Sequence, residues 1–512
     1  MNIKQAKQEV FHTLKAYLTK DELGNYLIPT VRQRPVLLMG PPGVGKTQIM
    51  EQIAAEAGVG LVAYTITHHT RQSAIGLPFI EKHTYGGREY AVTEYTMSEI
   101  LASVYQLMEK TGLKEGILFL DEINCVSETL APMMLQFLQC KTFGNQRLPE
   151  GWLIVAAGNP PEYNKSVRDF DVVTLDRVKR IDVKEDFAVW KEYARRRGLH
   201  GAVISYLDIR KEHFYRIETT VDGLQFATAR GWEDLSELIY AYEKLDMRVN
   251  RDVIGQYIQL PRIAKDFANY LDLFYKYRKT YHVEDILQGA WQPITVMELR
   301  EAPFDEKLSV MGLILSRLTE SAKATRLQDA LTTRLHSELG VFKAKIADIE
   351  PDAALQQLIA HQQAMLKRAQ EAGQLEKEER NLTMSLVNKL EQYRQRLRGE
   401  EIPAAEAMDA IRTWFGEEVA RRKTLGEETG RFFDNAFRFL EETFKQSQEL
   451  VIFVTEITAG YDTSWFVENF GCSAYFRHNK ELLFDDTRHR IREEIAAAKA
   501  AQWEETANGE AN

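Results

Sequence analysis

Residues 40–47 of the chain read GPPGVGKT, which places three glycines, a lysine and a threonine at the spacing of a phosphate-binding loop. Glycine lets backbone N–H groups converge on phosphate oxygens, and the helix that follows directs its positive end at the same place. Lys46 is expected to reach the terminal phosphates, and Thr47 to hold Mg²⁺. The alternative is an ordinary loop between a strand and a helix. The predicted nucleotide contacts are Gly40, Pro41, Pro42, Gly43, Val44, Gly45, Lys46 and Thr47.

A pair of acidic residues, Asp121 and Glu122, follows the apolar run 117–120 (ILFL). The run is short enough for a buried parallel strand. In open α/β sheets ligands bind at the carboxyl ends of the strands, so we expect Asp121 to help hold the magnesium ion. Glu122 is expected to orient and activate the attacking water. The alternative is a solvated acidic pair at the end of a strand.

A third polar residue, Asn159, follows the apolar run 153–157 (LIVAA), where its amide could position the same water. The three polar groups can meet only if the strands 36–39, 117–120 and 153–157 end at one edge of a sheet. Parallel strands that alternate with helices predict the α/β class. The expected fold is therefore a P-loop parallel sheet sandwiched by helices.

These residues resemble the motifs of the AAA+ ATPases. That family prefers the spellings GPPGVGKT and DEIN and places a polar first sensor, here Asn159, after a strand. The resemblance covers about residues 2–281 and implies ATP and Mg²⁺ as ligands and ATP hydrolysis as the activity. GTPases are disfavoured, because residues 164–169 (NKSVRD) have the wrong residue in the fourth place of the guanine-reading motif N-K-x-D.

The resemblance also implies two arginines that act on the γ-phosphate. In VVTLDRVKRIDV, Arg177 has the motif position of an arginine finger supplied by a neighbouring subunit, and Arg180 is the second candidate. A guanidinium there stabilises the charge that develops in phosphoryl transfer and can be worth about a thousandfold in rate. In TARGWEDLSEL, Arg230 stands near the start of a second-sensor helix. The alternatives are surface arginines, which face solvent or pair with Asp176 or Asp182.

Between the loop threonine and the acidic pair, the chain is longer than one strand and one helix require. The stretches FIEKHTY and REYAVTEY, on either side of Gly86 and Gly87, predict a β-hairpin. An insertion here resembles the helix-2-insert branch of AAA+, which contains the MoxR-type ATPases and the McrB-type DNA-directed GTPases. A predicted helix over 128–139 and a hairpin in KTFGNQRLPEGW add to the MoxR resemblance. Cys125 departs from it, since MoxR members commonly have arginine after DEIN.

The composition limits the class of protein. The net charge of −10 argues against a protein that coats nucleic acid, and 44% hydrophobic residues support packed cores. Cys125, Cys140 and Cys472 lack the spacing of a metal site, so a reducing cytoplasm is the expected location, without a signal peptide or membrane span. His68 and His69 look like a metal pair, but adjacent residues of a strand point to opposite faces.

Three domains are predicted: an α/β nucleotide-binding domain over 1–184, a helical lid over 185–281, and a mainly helical arm over 282–512. The lid follows from apolar residues at three- and four-residue spacing. The arm contains long charged helices, with breaks predicted near Gly373, at GEEIP and at Gly426. Its surface is either a partner-binding region or a plain scaffold.

The resemblance implies an ATP-hydrolysing AAA+ protein of the MoxR type that works as a homo-oligomeric ring, with a hexamer expected. Such a ring would remodel, assemble or activate a partner protein, and a partner with a von Willebrand factor A domain is implied by the resemblance alone. The alternative is a nucleic-acid motor of the McrB kind, which the insert favours and the acidic charge opposes. A scaffold that binds ATP and seldom hydrolyses it is a third reading, and Glu122 argues against it.

Overall fold

The computed structural model describes residues 1–68, 74, 76–143, 146–163, 167, 170–220, 223–372, 377–445 and 447–480. The chain forms two compact units, each built from segments that are separated in sequence. The first unit consists of Met1–Trp190, Thr228–Gly231 and Arg334–Arg412. The second consists of Lys191–Ala227, Trp232–Thr333 and the chain from Thr413 onward. The domain boundaries predicted from the sequence stay predictions.

The first unit contains a parallel sheet of five strands in the order β2-β5-β8-β1-β9, in which every neighbouring pair is parallel. All residues of β1 and β8 are buried, because both faces of the sheet are covered. The predicted P-loop α/β class is confirmed. Strands of the first unit run, in chain order, over β1 (Val36–Met39), β2 (Gly60–Thr65), β3 (Pro78–Tyr85), β4 (Arg88–Tyr95), β5 (Gly116–Asp121), β6 (Thr142–Phe143), β7 (Gln146–Arg147), β8 (Trp152–Gly158) and β9 (Lys179–Asp182).

Helices account for most of the rest of the chain. They run, in chain order, over α1 (Ile3–Leu18), α2 (Lys46–Ala57), α3 (Glu99–Thr111), α4 (Ala131–Cys140), α5 (Val172–Leu175), α6 (Phe187–Arg197), α7 (Gly201–Ile209), α8 (Ala229–Lys244), α9 (Arg251–Tyr257), α10 (Pro261–Thr280), α11 (Val283–Gln288), α12 (Pro293–Glu301), α13 (Phe304–Lys345), α14 (Pro351–Glu371), α15 (Lys377–Gly399), α16 (Ala407–Phe444), α17 (Gln448–Ala459) and α18 (Tyr461–Phe470). Among these helices, none combines the length and the apolar character needed to cross a bilayer.

Helices cover both faces of the sheet because successive strand residues point to opposite sides. On one face, Leu37 of β1 and Leu118 of β5 pack in a core with α3 and α4. On the other face, Leu38 and Phe119 pack in a second core with α1 and α2. The sheet is therefore held between two apolar layers, and its strand ends are fixed in register.

Two hairpins extend from this α/β core. β3 and β4 pair from Pro78↔Tyr95 to Tyr85↔Arg88, and the predicted turn at Gly86 and Gly87 is confirmed, with φ of +58° and +78°. The predicted hairpin before the sensor strand is also confirmed as β6 and β7. The helix predicted over 128–139 begins later, at Ala131, because Pro132 occupies its first turn, where a missing N–H costs nothing.

The region after residue 282 is mainly helical in its described part, as predicted. The break at GEEIP is confirmed, since α15 ends at Gly399, while Gly373 lies outside the described residues. The break at Gly426 is wrong, because α16 continues through it. A Cβ on Gly426 would lie 2.4 Å from the Phe470 ring, so this glycine allows close packing rather than a turn. The second unit also contains a hairpin that the sequence did not predict, β10 (Arg216–Thr220) and β11 (Gly223–Ala227).

Candidate active site at the carboxyl edge of the sheet

The register of the sheet brings the three predicted polar groups to one edge. β8 lies between β1 and β5. Met39 pairs with Gly158, so β1 and β8 end side by side, and Leu120 pairs with Ala156 two residues earlier. The residues that follow these strand ends therefore leave the sheet at neighbouring points, as expected for ligand sites in open parallel sheets.

The phosphate-binding loop connects β1 to α2 through glycines in conformations that other residues adopt rarely. Gly43 has a φ of +77°, and Gly45, the N-cap of α2, has a φ of +93°. Gly40 has a different constraint, because a Cβ there would lie 2.7 Å from the Val183 carbonyl oxygen. The loop thus depends on glycine for both its backbone shape and its packing.

Lys46 is buried, with 8% of its surface exposed, and its ammonium lies within the loop. Nζ donates to the carbonyl oxygens of Gly40 (2.8 Å) and Pro41 (2.9 Å) and to Oδ1 of Asn159 (2.9 Å). Burial lowers the pKa of Lys46 from its usual 10.5 to about 8, while the Asp121 carboxylate opposes that shift. The bonded oxygens are all neutral, so direct contact does not cancel the charge of Lys46.

The residues predicted to hold magnesium are in contact. Thr47 Oγ1 donates to Oδ2 of Asp121 at 3.0 Å, although they are separated by the whole of β2 and the β3–β4 hairpin. A hydroxyl and a carboxylate are the oxygen ligands that Mg²⁺ takes in nucleotide sites. The pair therefore fits the ion, which when bound would neutralise charge on the phosphates.

Glu122 has an unusual backbone conformation immediately after β5. Its φ is +57°, in the left-handed region that non-glycine residues adopt at a cost. Its backbone N–H donates to Asp121 Oδ1 at 2.9 Å, and its side-chain Oε2 accepts from Thr67 Oγ1 at 2.8 Å. A carboxylate held by one neutral hydroxyl keeps acceptor positions for a water molecule, which suits a general base.

The backbone of Asn159 is hydrogen-bonded by Asn124, to which the sequence analysis gave no role. Asn124 is 3% exposed; its Nδ2 donates to the Asn159 carbonyl oxygen at 2.8 Å, and its Oδ1 accepts from the Asn159 N–H at 3.3 Å. A Cβ on Gly158 would lie 2.6 Å from Asn124 Oδ1, so glycine is needed before the sensor. Asn124 is the last residue of the DEIN motif, and its position two residues after Glu122 could have marked it as a site residue. No sequence motif marks Thr67.

Arg230 lies against the phosphate-binding loop. It stands in the first turn of α8, and a Cβ on Gly43 would lie 3.4 Å from the Arg230 Cβ. Thr228 Oγ1 accepts from the Gly231 N–H at 3.2 Å, which fixes the start of that helix. The positive charge of Arg230 also lowers the pKa of Lys46. The structure therefore brings Arg230 to the site.

Arg177 and Arg180 have different surroundings. Arg177 is exposed and donates to Oε1 of Gln139. Arg180 donates to Asp182 Oδ1 at 2.9 Å, so the surface pairing considered for both arginines is found for Arg180 alone. An arginine finger acts on a neighbouring subunit's nucleotide, and the role of Arg177 stays a prediction.

Cys125, Cys140 and Cys472 form no disulfide within the part of the chain that the structure describes. His69 lies outside the described residues, so the interpretation of His68 and His69 is not tested. The segment that was compared with the GTPase motif also lies outside them, apart from Val167.

A glycine loop with positive φ that leads into a helix N-terminus, with a buried lysine beside a hydroxyl–carboxylate pair, is the arrangement of a P-loop nucleotide site. Residues 36–174 match the family model described as ATPase family associated with various cellular activities (AAA). The chain therefore carries an AAA ATPase domain, which supports nucleotide binding and ATPase activity for this segment.

Comparisons with whole proteins add little beyond this domain. No curated protein matches the chain. Among solved structures, the chain is similar to NtrX from Brucella abortus, which was crystallised in complex with ADP. The two are 16% identical with a TM-score of 0.24, over 40% of this chain and 44% of NtrX. The chain thus spans less than half the length of that structure.

Proposed function

We propose that the chain is an ATP-hydrolysing AAA+ protein of the MoxR type, which forms a ring, with six subunits expected, and remodels, assembles or activates a partner protein. The observation that carries the proposal is the contact of Thr47 with Asp121 beside Lys46 and Glu122. These groups supply what ATP hydrolysis needs: a phosphate-binding loop, ligands for Mg²⁺ and a base.

The proposed roles follow from the contacts. The loop N–H groups and Lys46 bind the phosphates, and Thr47 and Asp121 hold Mg²⁺. Glu122 accepts a proton from the attacking water, which Asn159 helps to position. Arg230, packed against Gly43, would contact the nucleotide from the start of α8. Each role uses an atom that lies at this edge of the sheet.

The β3–β4 hairpin supports the MoxR type within AAA+. It is inserted after β2 and before α3, where the helix-2-insert branch has its insertion. Phe79 is 41% and Ile80 is 76% exposed, so the hairpin presents apolar surface to solvent. Exposed apolar surface of this kind favours contact with another protein.

The surface around Arg177 supports action across a subunit interface. Val172 in α5 is 81% exposed and Val173 is 58% exposed, a short distance along the chain from Arg177. Exposed valines beside an exposed arginine are typical of a surface that a second copy covers. In a ring, this surface would face the nucleotide site of the next subunit, and the site would be complete only there.

The test mixes two inactive variants. Arg177→Ala subunits keep Glu122, and Glu122→Gln subunits keep Arg177, so mixed rings contain some sites with both groups. We expect each variant alone to hydrolyse ATP at least about a hundredfold more slowly than wild type. Mixing them should restore a substantial part of the activity. Arg180→Ala is the matched control and should hydrolyse ATP normally.

If the mixture stays inactive although both variants assemble, Arg177 does not act between subunits. If Arg180→Ala is the inactive variant instead, the finger is Arg180. Hydrolysis that is stimulated by DNA, with salt-sensitive DNA binding, would favour the McrB-like alternative. A von Willebrand factor A partner and a cytoplasmic location remain part of the proposal through the resemblance, and co-purification from the native cell with Glu122→Gln tests the partner class.

A further inference from the structure

The second unit contains a large open cavity that the nucleotide site does not use. Its volume is about 2400 Å³. The walls come from α6, α7, the end of α8 and the segment that follows it, α10, α11, the first half of α13, and α17. A cleft of this size exceeds what a small molecule fills and is wide enough for a peptide segment.

The lining is positively charged in a chain that is negative overall. Twelve lining side chains are Lys or Arg and eight are Asp or Glu, whereas the whole chain has a net charge of −10. Four of the cations form ion pairs with five of the acids, for example Lys191 with Asp208 and Arg317 with Glu284. Eight cations and three carboxylates of the lining then have no ion-pair partner among the described residues. The cleft thus has an excess of uncompensated positive charge.

Six of these cations are exposed and stand close together in the chain: Lys244, Arg248, Arg251, Lys265, Lys276 and Lys279. On α10 the lining residues Lys265, Asp272, Lys276 and Lys279 are separated by seven, four and three positions, which places them on one face of the helix. Three of the exposed cations therefore share one face of α10 with Asp272, and the other three lie between the end of α8 and the start of α9.

Apolar side chains accompany the charge. Met247 is 50% exposed and Phe304 is 45% exposed, and both line the cleft, as do the half-buried Leu308 and Ile452. Apolar contacts between cations fit a peptide whose carboxylates alternate with apolar side chains.

We propose that this cleft binds an acidic segment of a partner protein, with carboxylates on the α10 wall and apolar side chains against Met247 and Phe304. The proposal goes beyond the ATPase function, because binding here does not require hydrolysis. The bound segment of the partner is expected to be rich in Asp and Glu and to contain apolar residues as well.

The experiment measures binding of a short fluorescein-labelled peptide of repeated Glu-Glu-Leu triplets to the full chain by fluorescence anisotropy, without nucleotide. We expect saturable binding that weakens as salt is added, because exposed charges are screened. The double variant Lys265→Glu and Lys276→Glu should weaken binding by about tenfold or more, since it places like charges opposite the peptide. A second variant, Lys244→Glu and Arg248→Glu, tests the other part of the wall.

Arg421→Glu with Arg431→Glu is the matched control, because it reverses two exposed charges on α16 outside the cleft. It should bind the peptide like wild type. ATP hydrolysis is measured for every variant and should stay unchanged in all of them, which separates this proposal from the ATPase proposal. The cleft proposal is overturned if the peptide does not bind, if both cleft variants bind it like wild type, or if oligo-dT of equal length binds more tightly.

Discussion

Two lysines of this chain are withdrawn from solvent in different surroundings. Lys46 donates to two loop carbonyls and to the amide oxygen of Asn159, all of them neutral. Lys191, in the second unit, donates to the carboxylates of Asp208 (2.5 Å) and Glu456 (2.9 Å). Carboxylates bond Lys191 directly, whereas Lys46 bonds neutral oxygens and interacts with the Asp121 and Glu122 carboxylates only at longer range.

The difference separates a structural charge from a functional one. The two charges of an ion pair inside a protein neutralise each other. A cation that is held by neutral oxygens can still bind an anionic ligand. The same contrast applies to carboxylates. Glu122 accepts from the neutral hydroxyl of Thr67, whereas Asp208 and Glu456 pair with Lys191. The variants below test whether this contrast decides which groups do chemistry.

The largest effect is expected from replacing the two lysines with methionine. Lys46→Met should lower ATP hydrolysis by about a hundredfold or more, because the phosphates lose their buried cation. Lys191→Met should hydrolyse ATP nearly normally but lose about 2 kcal/mol of unfolding free energy, because two partly buried carboxylates lose a partner. Steady-state ATPase assays and urea unfolding measure the two quantities. Equal losses of activity in both variants would remove the distinction.

A comparable loss is expected at the carboxylate of the site. Glu122→Gln should bind ATP yet hydrolyse it about a hundredfold more slowly or worse, because an amide cannot accept the proton. Thr67→Val is the control: it removes the hydrogen bond to Glu122 but keeps the base, so its loss should be far smaller. Single-turnover hydrolysis with labelled ATP measures both. Normal hydrolysis by Glu122→Gln would require another base.

A smaller effect is expected from Asn124, which acts through Asn159. Asn124→Ala removes both bonds that hold the Asn159 backbone, so we expect kcat to fall by about tenfold while ATP binding changes little. Asn159→Ala should lower kcat at least as much. The effect of Asn124→Ala on kcat is measured in wild type and in the Asn159→Ala background. If the two effects are equal, Asn124 does not act through Asn159.

The smallest effect is a dependence of ATP affinity on pH. The pKa of Lys46 is lowered to about 8, so the folded chain loses this proton above pH 8 while the unfolded chain keeps it to about 10.5. The cost of burying the charge is therefore fully present below pH 8 and disappears as pH rises, so the stability contributed by Lys46 increases over that range. Phosphate binding favours the charged form, and ATP affinity should fall about fivefold between pH 8 and pH 9. Lys46→Met should lack this dependence.

The sequence predicted which residues meet at one edge of the sheet where each motif lies at the end of one strand. The loop, Asp121, Glu122 and Asn159 each follow an apolar run, and a parallel sheet brings such positions to one edge whatever the details of packing. The hairpin at Gly86 and Gly87 was equally visible, because turn chemistry is local.

Contacts between distant segments were not predictable in this way. Thr67 and Asn124 reach their partners only after the sheet has set the positions of both. No local pattern marks Thr67, and the DEIN motif marks the position of Asn124 but not its contact with Asn159. Gly426 was interpreted as a helix break from its local propensity, whereas its reason is the ring of Phe470, far along the chain. Packing between segments decided these positions, and a single sequence does not show it.

The most direct test of the central claim is the affinity of the purified chain for ATP with and without Mg²⁺, measured by calorimetry for wild type, Thr47→Ala and Asp121→Asn. We expect Mg²⁺ to strengthen ATP binding to wild type, and we expect both variants to lose this gain while they still bind ATP in EDTA. If wild type does not bind ATP, or if Mg²⁺ strengthens binding equally in all three proteins, Thr47 and Asp121 do not form the metal site of a nucleotide-binding centre.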